Sequence, residues 1–312
     1  MEKLPFFGYS LYEMAHYFLI WSFIGWVIEI VDMTFETGEY QNRGMLNMPI
    51  CPIYGVGVLL IIAILRPLKG TFLALCIGSS IICTAIELGV GLLLEAIFHN
   101  RWWDYSHMHF NYKGLICLRN SVLWGVGCVI MMNVVQPMLE KWVGFLDIRI
   151  GFAIILIMAV LIVIDIAASL KAIKNLNDRL KQLDAISGKM LAFAQKIGGV
   201  LADKTQDVME LNDRIKQKIA EIKVNREEYE EEFSQIESEY HKIIDQKSIA
   251  DRLIKAFPTI SNPKYSSVLH ALKRKINPES TEHFELRLDE VKRYNERHSK
   301  RKNTVGQNSS DK

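Results

Sequence analysis

Glu29 and Glu95 each stand four residues after a glycine, in GWVIE (25–29) and GLLLE (91–95), and both stretches are strongly apolar. Trp21, Gly25 and Glu29 are spaced four apart, as are Glu87, Gly91 and Glu95, so each set shares one face of a helix. A carboxylate at the centre of an apolar span costs about 2.5–3.5 kcal/mol on insertion scales and turns toward a partner or an aqueous cavity. The glycine one turn away lets a second helix approach closely. Counter-charges stand in two polar stretches, RGMLNMPICPIYGVG (43–57) and KGLICLRNSVLWGVG (113–127), which align without a gap. Arg43 meets Lys113, Gly44 meets Gly114, Tyr54 meets Trp124, and Gly55-Val56-Gly57 meets Gly125-Val126-Gly127. The expected polar core is therefore Glu29, Glu95, Arg43 and Arg119, with Glu87 deeper and Asn42, Tyr54, Asp104, Asn120 and Trp124 around it. Such a set either binds a polar solute or clamps the helices shut by ion pairing, and residue types alone leave both readings open.

Other chemistry is poorly supplied. The stretch WWDYSHMHFN (102–111) follows His99 and brings Asp104, His107 and His109 close in sequence. It lacks the disciplined spacing of a histidine metal site such as HExxH. No nucleophile elbow, Walker A loop or GxGxxG occurs, so no catalytic residue, metal, cofactor or nucleic-acid partner is expected. Cys51, Cys76, Cys83, Cys117 and Cys128 all lie in the apolar half without a CxxC pair, as buried single thiols do.

The elements that must position these residues are long apolar runs near 12–33, 52–67, 71–98, 121–143 and 150–170. A span needs roughly 20 apolar residues, which makes the second run short and the count five. No small-residue cleavage site closes the first run, so it reads as a helix that stays in the membrane. Residues 1–170 carry 9 Lys/Arg and 12 Asp/Glu, against 28 and 23 in 171–312, so a membrane domain precedes a charged, water-soluble one. Two units, about 21–67 and 87–139, each read helix, loop, helix, and 150–170 is an unpaired fifth span. The carboxylates pair at an offset of 66 and the loops at 70, as a parallel repeat. Lys171, Lys174, Arg179 and Lys181 follow the last span, which places the C-terminal arm in the cytoplasm of a multi-pass cell-membrane protein. With five crossings the loops 34–51 and 99–120 are then cytoplasmic and the N-terminus lies outside.

The arm, 171–258, carries apolar residues every seventh position: Leu201, Val208, Ile215, Ile222, Tyr229, Ile236, Ile243, Ala250 and Phe257. That is a coiled-coil seam, suited to self-association through 200–258 or to packing against an earlier helix at 170–197. Gly198-Gly199 breaks the arm, since two glycines cost about 2 kcal/mol in a helix interior, and Pro258 ends it. Short charged helices are expected over 259–299 and a disordered tail over 300–312. The fold class is all-α: a polytopic membrane bundle followed by a long cytosolic coiled-coil arm.

GWVIE, NRGMLNMPICPIYGVG, WWDYS and GLICLRNSVLWG, which together cover about 15–130, resemble the putative ABC-transporter type IV family of bacteria, the CmpB-like permeases. The resemblance implies a bacterial integral membrane permease with a separate ATPase subunit as partner, and it brings no catalytic residues. Two classes of function follow. One is a transporter component with a polar site between its repeats at the cytoplasmic side. The other is a membrane-anchored coiled-coil scaffold or sensor without transport.

Overall fold

The computed structural model describes residues 8–38, 40–198, 208–222, 224–282 and 286. Helix α1, Leu11–Thr37, starts at a capping box in which Ser10 and Glu13 each meet the other's backbone N–H. It stops at Gly38, whose positive φ of 77° lets its N–H return to the Thr34 carbonyl. Helix α2, Pro52–Leu65, opens on a proline where no amide donor is lost. Its 14 residues span about 21 Å, short of the roughly 30 Å of hydrocarbon. A single 3-10 turn, Arg66–Leu68, built around Pro67, leads into α3, Phe72–Phe98.

After α3 a loop carries a small hairpin, β1 (Asn111–Tyr112) and β2 (Ile116–Cys117), with Tyr112 opposite Ile116. Then come α4 (Leu118–Ile130), a π-helical turn (Met131–Val135) and α5 (Gln136–Phe145). Pro137 explains the wide turn, because it has no N–H to continue the ordinary ladder. Helix α6, Ile148–Lys196, carries the last apolar run and the following amphipathic run on one continuous helix. No proline interrupts it, and nothing between Gly151 and Gly188 favours a break.

Among the described residues, four helices are long and apolar enough to cross a membrane: Leu11–Phe35, Phe72–Phe98, Leu118–Phe145 and the apolar part of α6. The shorter Pro52–Leu68 is the fifth apolar segment. Their outward faces stay uncovered: Leu156 and Val163 are each 67% exposed and Ile81 is 65% exposed. Apolar belts of that extent belong against lipid rather than water. Inside, Tyr17, Trp21, Ile61, Ile62, Leu75 and Met132 form the core.

The chain divides into two compact units. The first runs to Asp178 and takes in Ser248–Phe257, which contains α9 (Asp251–Ala256). The second holds Arg179–Lys247 and the residues from Pro258 on. In it, Leu180, Leu183, Met190 and Phe193 of α6 are buried, as are Val208 and Ile215 of α7 (Val208–Glu221). Phe233 and Tyr240 of α8 (Arg226–Ile244) and Val268 and Leu272 of α10 (Ser266–Ile276) complete this core. Arg179 donates to the carbonyls of Ile243 and Ile244, the open end of α8.

The seven-residue series is not carried on one rod. Asn225, at φ 58°, separates α7 from α8, and Asp245–Ala250 separates α8 from α9. Gly198, at φ 75°, follows the end of α6. Leu201, Gly199, most of the charged 283–299 segment and the 300–312 tail lie outside the described residues.

Candidate functional site

Where α1 ends and α2 begins, Glu29 sits between two partners. Its Oε1 accepts from the Tyr54 hydroxyl at 2.6 Å, and its Oε2 lies 3.2 Å from Arg43 Nε. Arg43 also reaches Asp32 at 3.3 Å, and its side chain is 16% exposed. This closeness depends on glycine. A Cβ on Gly25 would fall 2.2 Å from the Tyr54 ring, so α1 leaves the room that Tyr54 fills. Asn42 organises the loop: its Oδ1 accepts from Trp26 Nε1 at 2.8 Å and from the Gly44 amide at 3.1 Å. Tyr54 also meets Trp124 edge-on, with ring centroids 5.5 Å apart.

Glu87 and Tyr105 close the cluster from the other helix pair. The Tyr105 hydroxyl approaches the Glu87 carboxyl, whose Oε2 is buried with no hydrogen-bond partner. Burial, with the Glu87 and Glu29 charges adding to it, holds the Tyr105 phenol well above its usual range. The Cys51 thiol, at the N-cap of α2, is pushed up to about 12 by burial and by the Glu29 charge, against the opposing effect of Arg43.

Glu95 belongs elsewhere. Its partner is Arg101, at 2.9 Å, which the left-handed C-cap His99 (φ 60°) turns back over the end of α3. Arg101 also reaches the Lys113 carbonyl, at 3.5 Å. Arg119 is exposed in the first turn of α4 and, among the described residues, makes no ion pair with Glu95. The expected Glu95–Arg119 pair is thus replaced by a local one, because six residues and one left-handed cap separate the actual partners. Asp104 accepts from the Ser106 amide at 2.8 Å and shapes its own loop, while Asn120 is half-buried beside Arg119. Among the described residues no three His, Cys, Asp or Glu side chains stand together as a metal site.

Two decisive residues are absent from the sequence reading. Asp165, 6% exposed on α6, accepts from the Asn47 amide (3.0 Å), Asn47 Nδ2 (2.6 Å) and the Met48 amide (2.7 Å). Arg252, on α9, donates to the carbonyls of Gly44 (2.7 Å), Met45 (2.7 Å) and Leu46 (3.1 Å). One acid and one base, distant in sequence, thus hold both polarities of the 44–48 backbone beside Arg43. A lone carboxylate inside the apolar 150–170 run was the available signal for Asp165. Arg252 lies 206–208 residues from its acceptors and left no local signal.

The two helix pairs also cross alike. A Cβ on Gly55 would fall 2.4 Å from Ser22 Oγ and 2.6 Å from the Phe18 carbonyl oxygen. One on Gly125 would fall 2.2 Å from Ser80 Oγ and 2.7 Å from the Cys76 carbonyl oxygen. Close crossings at glycine against serine are the packing of helices in lipid. Taken together, the cluster is an interior patch of charge and hydroxyl groups between apolar helices. No curated protein and no solved structure matches the chain. The family described as Putative ABC-transporter type IV matches residues 16–170, which take in most of α1, all of α2 to α5 and the apolar part of α6.

Proposed function

We propose that the chain is the membrane-embedded component of a transporter, with its polar path running past Glu29, Arg43, Tyr54, Glu87 and Tyr105. The observation that carries this reading is the Glu87 Oε2 atom, buried without a partner beside an already paired Glu29. A clamp would satisfy its acids, whereas an acceptor left open inside an apolar bundle suits a passing donor. The family of residues 16–170 supports the same reading and makes a separate ATPase the expected partner.

In this reading α1 to α4 are two copies of one helix pair, and the crossings favour an offset of 58 between α1 and α3 rather than 66. Ser22 then corresponds to Ser80, the Phe18 carbonyl to the Cys76 carbonyl, and Glu29 to Glu87. Glu95 becomes a local lock on the following loop. The short α2 counts as a fifth crossing, the Glu29 end faces the cytoplasm with the charged arm, and the chain has no catalytic role. The scaffold alternative is less well supported, because the seam residues Val208 and Ile215 are already buried within their own unit.

Purification in native lipid, followed by mass analysis of what accompanies the chain, tests the reading. An associated ATPase is expected, with solute-dependent stabilisation lost in Glu87→Gln. Recovery of the chain without an ATPase, and with no response to Glu87→Gln, would sink the proposal. Orientation is tested separately by a cysteine at Ser309, which should resist an impermeant thiol reagent until the cells are lysed.

A further inference from the structure

All five cysteines are free thiols, but two of them stand together. Cys83 Sγ on α3 and Cys128 Sγ on α4 are 3.8 Å apart, in thiol–thiol contact across the crossing of the two helices. Polar and small residues on the same seam hold that crossing close. Gly125 packs against Ser80, and Thr84 Oγ1 donates to Ser121 Oγ at 2.7 Å. The Ser79 hydroxyl also faces the Cys128 thiol. A disulfide sets its sulfurs roughly 2.05 Å apart, so closing the gap asks each sulfur to move about 0.9 Å, the scale of a χ1 rotation.

The surroundings of the pair decide which reagent reaches it. Each cysteine lies near the middle of a membrane-length apolar helix, Phe72–Phe98 and Leu118–Phe145. Cys83 is half-buried and Cys128 is nearly covered. Ile81 and Ile130, two residues away along each helix, are 65% and 55% exposed and face the lipid side. The charged, water-soluble thiols that keep cytosolic cysteines reduced do not enter hydrocarbon. A neutral quinone dissolves there and accepts two electrons and two protons.

We propose that Cys83 and Cys128 form a modification site, a dithiol that closes to a disulfide by reducing a lipid-soluble quinone. Both S–H bonds break, one S–S bond forms, and the two protons and two electrons convert the quinone to its hydroquinone. The closed bond ties α3 to α4 one helical turn before Glu87, so it fixes the spacing of the helix pair that carries this acid. The chemistry is independent of the transport reading, because the bond is read by mass on the chain itself.

The test is incubation of the full chain, in native-lipid particles under argon, with duroquinone, the tetramethylated benzoquinone whose ring has no position left for a thiol to add. The expected product is lighter by two hydrogen atoms and, once unfolded, shows three titratable thiols instead of five. Digestion without reductant should release one peptide pair joined through Cys83 and Cys128, which dithiothreitol separates. Cys83→Ser and Cys128→Ser keep the shape of the side chain, should fold normally, and should each retain every remaining thiol. An unchanged mass in the wild-type chain overturns the proposal. So does a link made through Cys51, Cys76 or Cys117, or between two copies of the chain.

Discussion

At the scale of single residues the two glutamate–arginine pairs are unequal, and their inequality is measurable. Glu29 and Glu95 are alike in exposure, 26% and 27%, but Glu29 is engaged twice, by Tyr54 and by an Arg43 that is 16% exposed, against 32% for Arg101. Exposed pairs typically contribute less than 1 kcal/mol, and hydrogen bonds to charged groups about 1.5–3 kcal/mol. A double-mutant cycle with Glu29→Gln and Arg43→Gln, read by thermal unfolding in detergent, should give a coupling of about 1.5–3 kcal/mol. The corresponding Glu95/Arg101 cycle should stay below about 1 kcal/mol, and equal couplings would contradict the arrangement described. Cys51 offers an independent check. With its thiol pushed up to about 12 by burial, it holds almost no thiolate near neutrality. Native protein should therefore label Cys51 only slowly with maleimide at pH 7, and Arg43→Gln should slow the reaction further by removing the charge that favours the thiolate. Peptide mapping after brief labelling reads both effects.

At the scale of elements, the crossings at Gly55 and Gly125 make a matched pair of experiments with a built-in control. Alanine at either position drives a methyl into a serine hydroxyl and a carbonyl, and overpacking of that kind costs about 1–3 kcal/mol. Gly127 has nothing within 4 Å of its absent Cβ, so Gly127→Ala should be neutral or slightly stabilising. Loop 44–48 is the second element with a clear test. Arg252→Met removes three donors to its carbonyls, and hydrogen exchange across 43–50 should quicken while the helices keep their protection. The long apolar helices, the short α2 and the loop bearing Arg43 were legible in the sequence, because hydrophobic period and helix-breaking residues are local signals. Partner choice was not. Glu87 and Glu95 lie eight apart on one face, and their spacing alone does not say which of them stands near Glu29. The seven-residue series likewise runs through Asn225 and the 245–250 segment, since periodicity counts residues and does not register a turn that preserves the count.

At the scale of the whole molecule, two units with unlike surroundings answer to unlike conditions. In the second unit the Asp245 carboxyl is held below its usual range, chiefly by Lys275 at 2.6 Å, with burial opposing and His241 assisting. Glu237 is also lowered: burial acts against ionisation, but Lys216 at 2.5 Å and Asn212 more than offset it. Folded values below unfolded ones mean stability that is complete above about pH 4.5 and is lost as pH falls through the folded values. The protection factors at the end of α8, with the intrinsic exchange rate divided out, should therefore fall in acid, and Lys275→Met should flatten part of that dependence. Protection that rises as pH falls would reverse the sign and contradict it. The Asp165 bonds to the 47–48 backbone carry a consequence for biogenesis. The ribosome delivers α1 to α5 before α6, so the Asn47 and Met48 amides wait for an acceptor about 118 residues downstream. Asp165, for its part, enters the bilayer as the acid of an otherwise apolar segment and gains its three donors only beside a loop already in place. Insertion of the last helix and closure of the first loop thus become one event, and a nascent chain released at residue 147 should leave that loop open to protease.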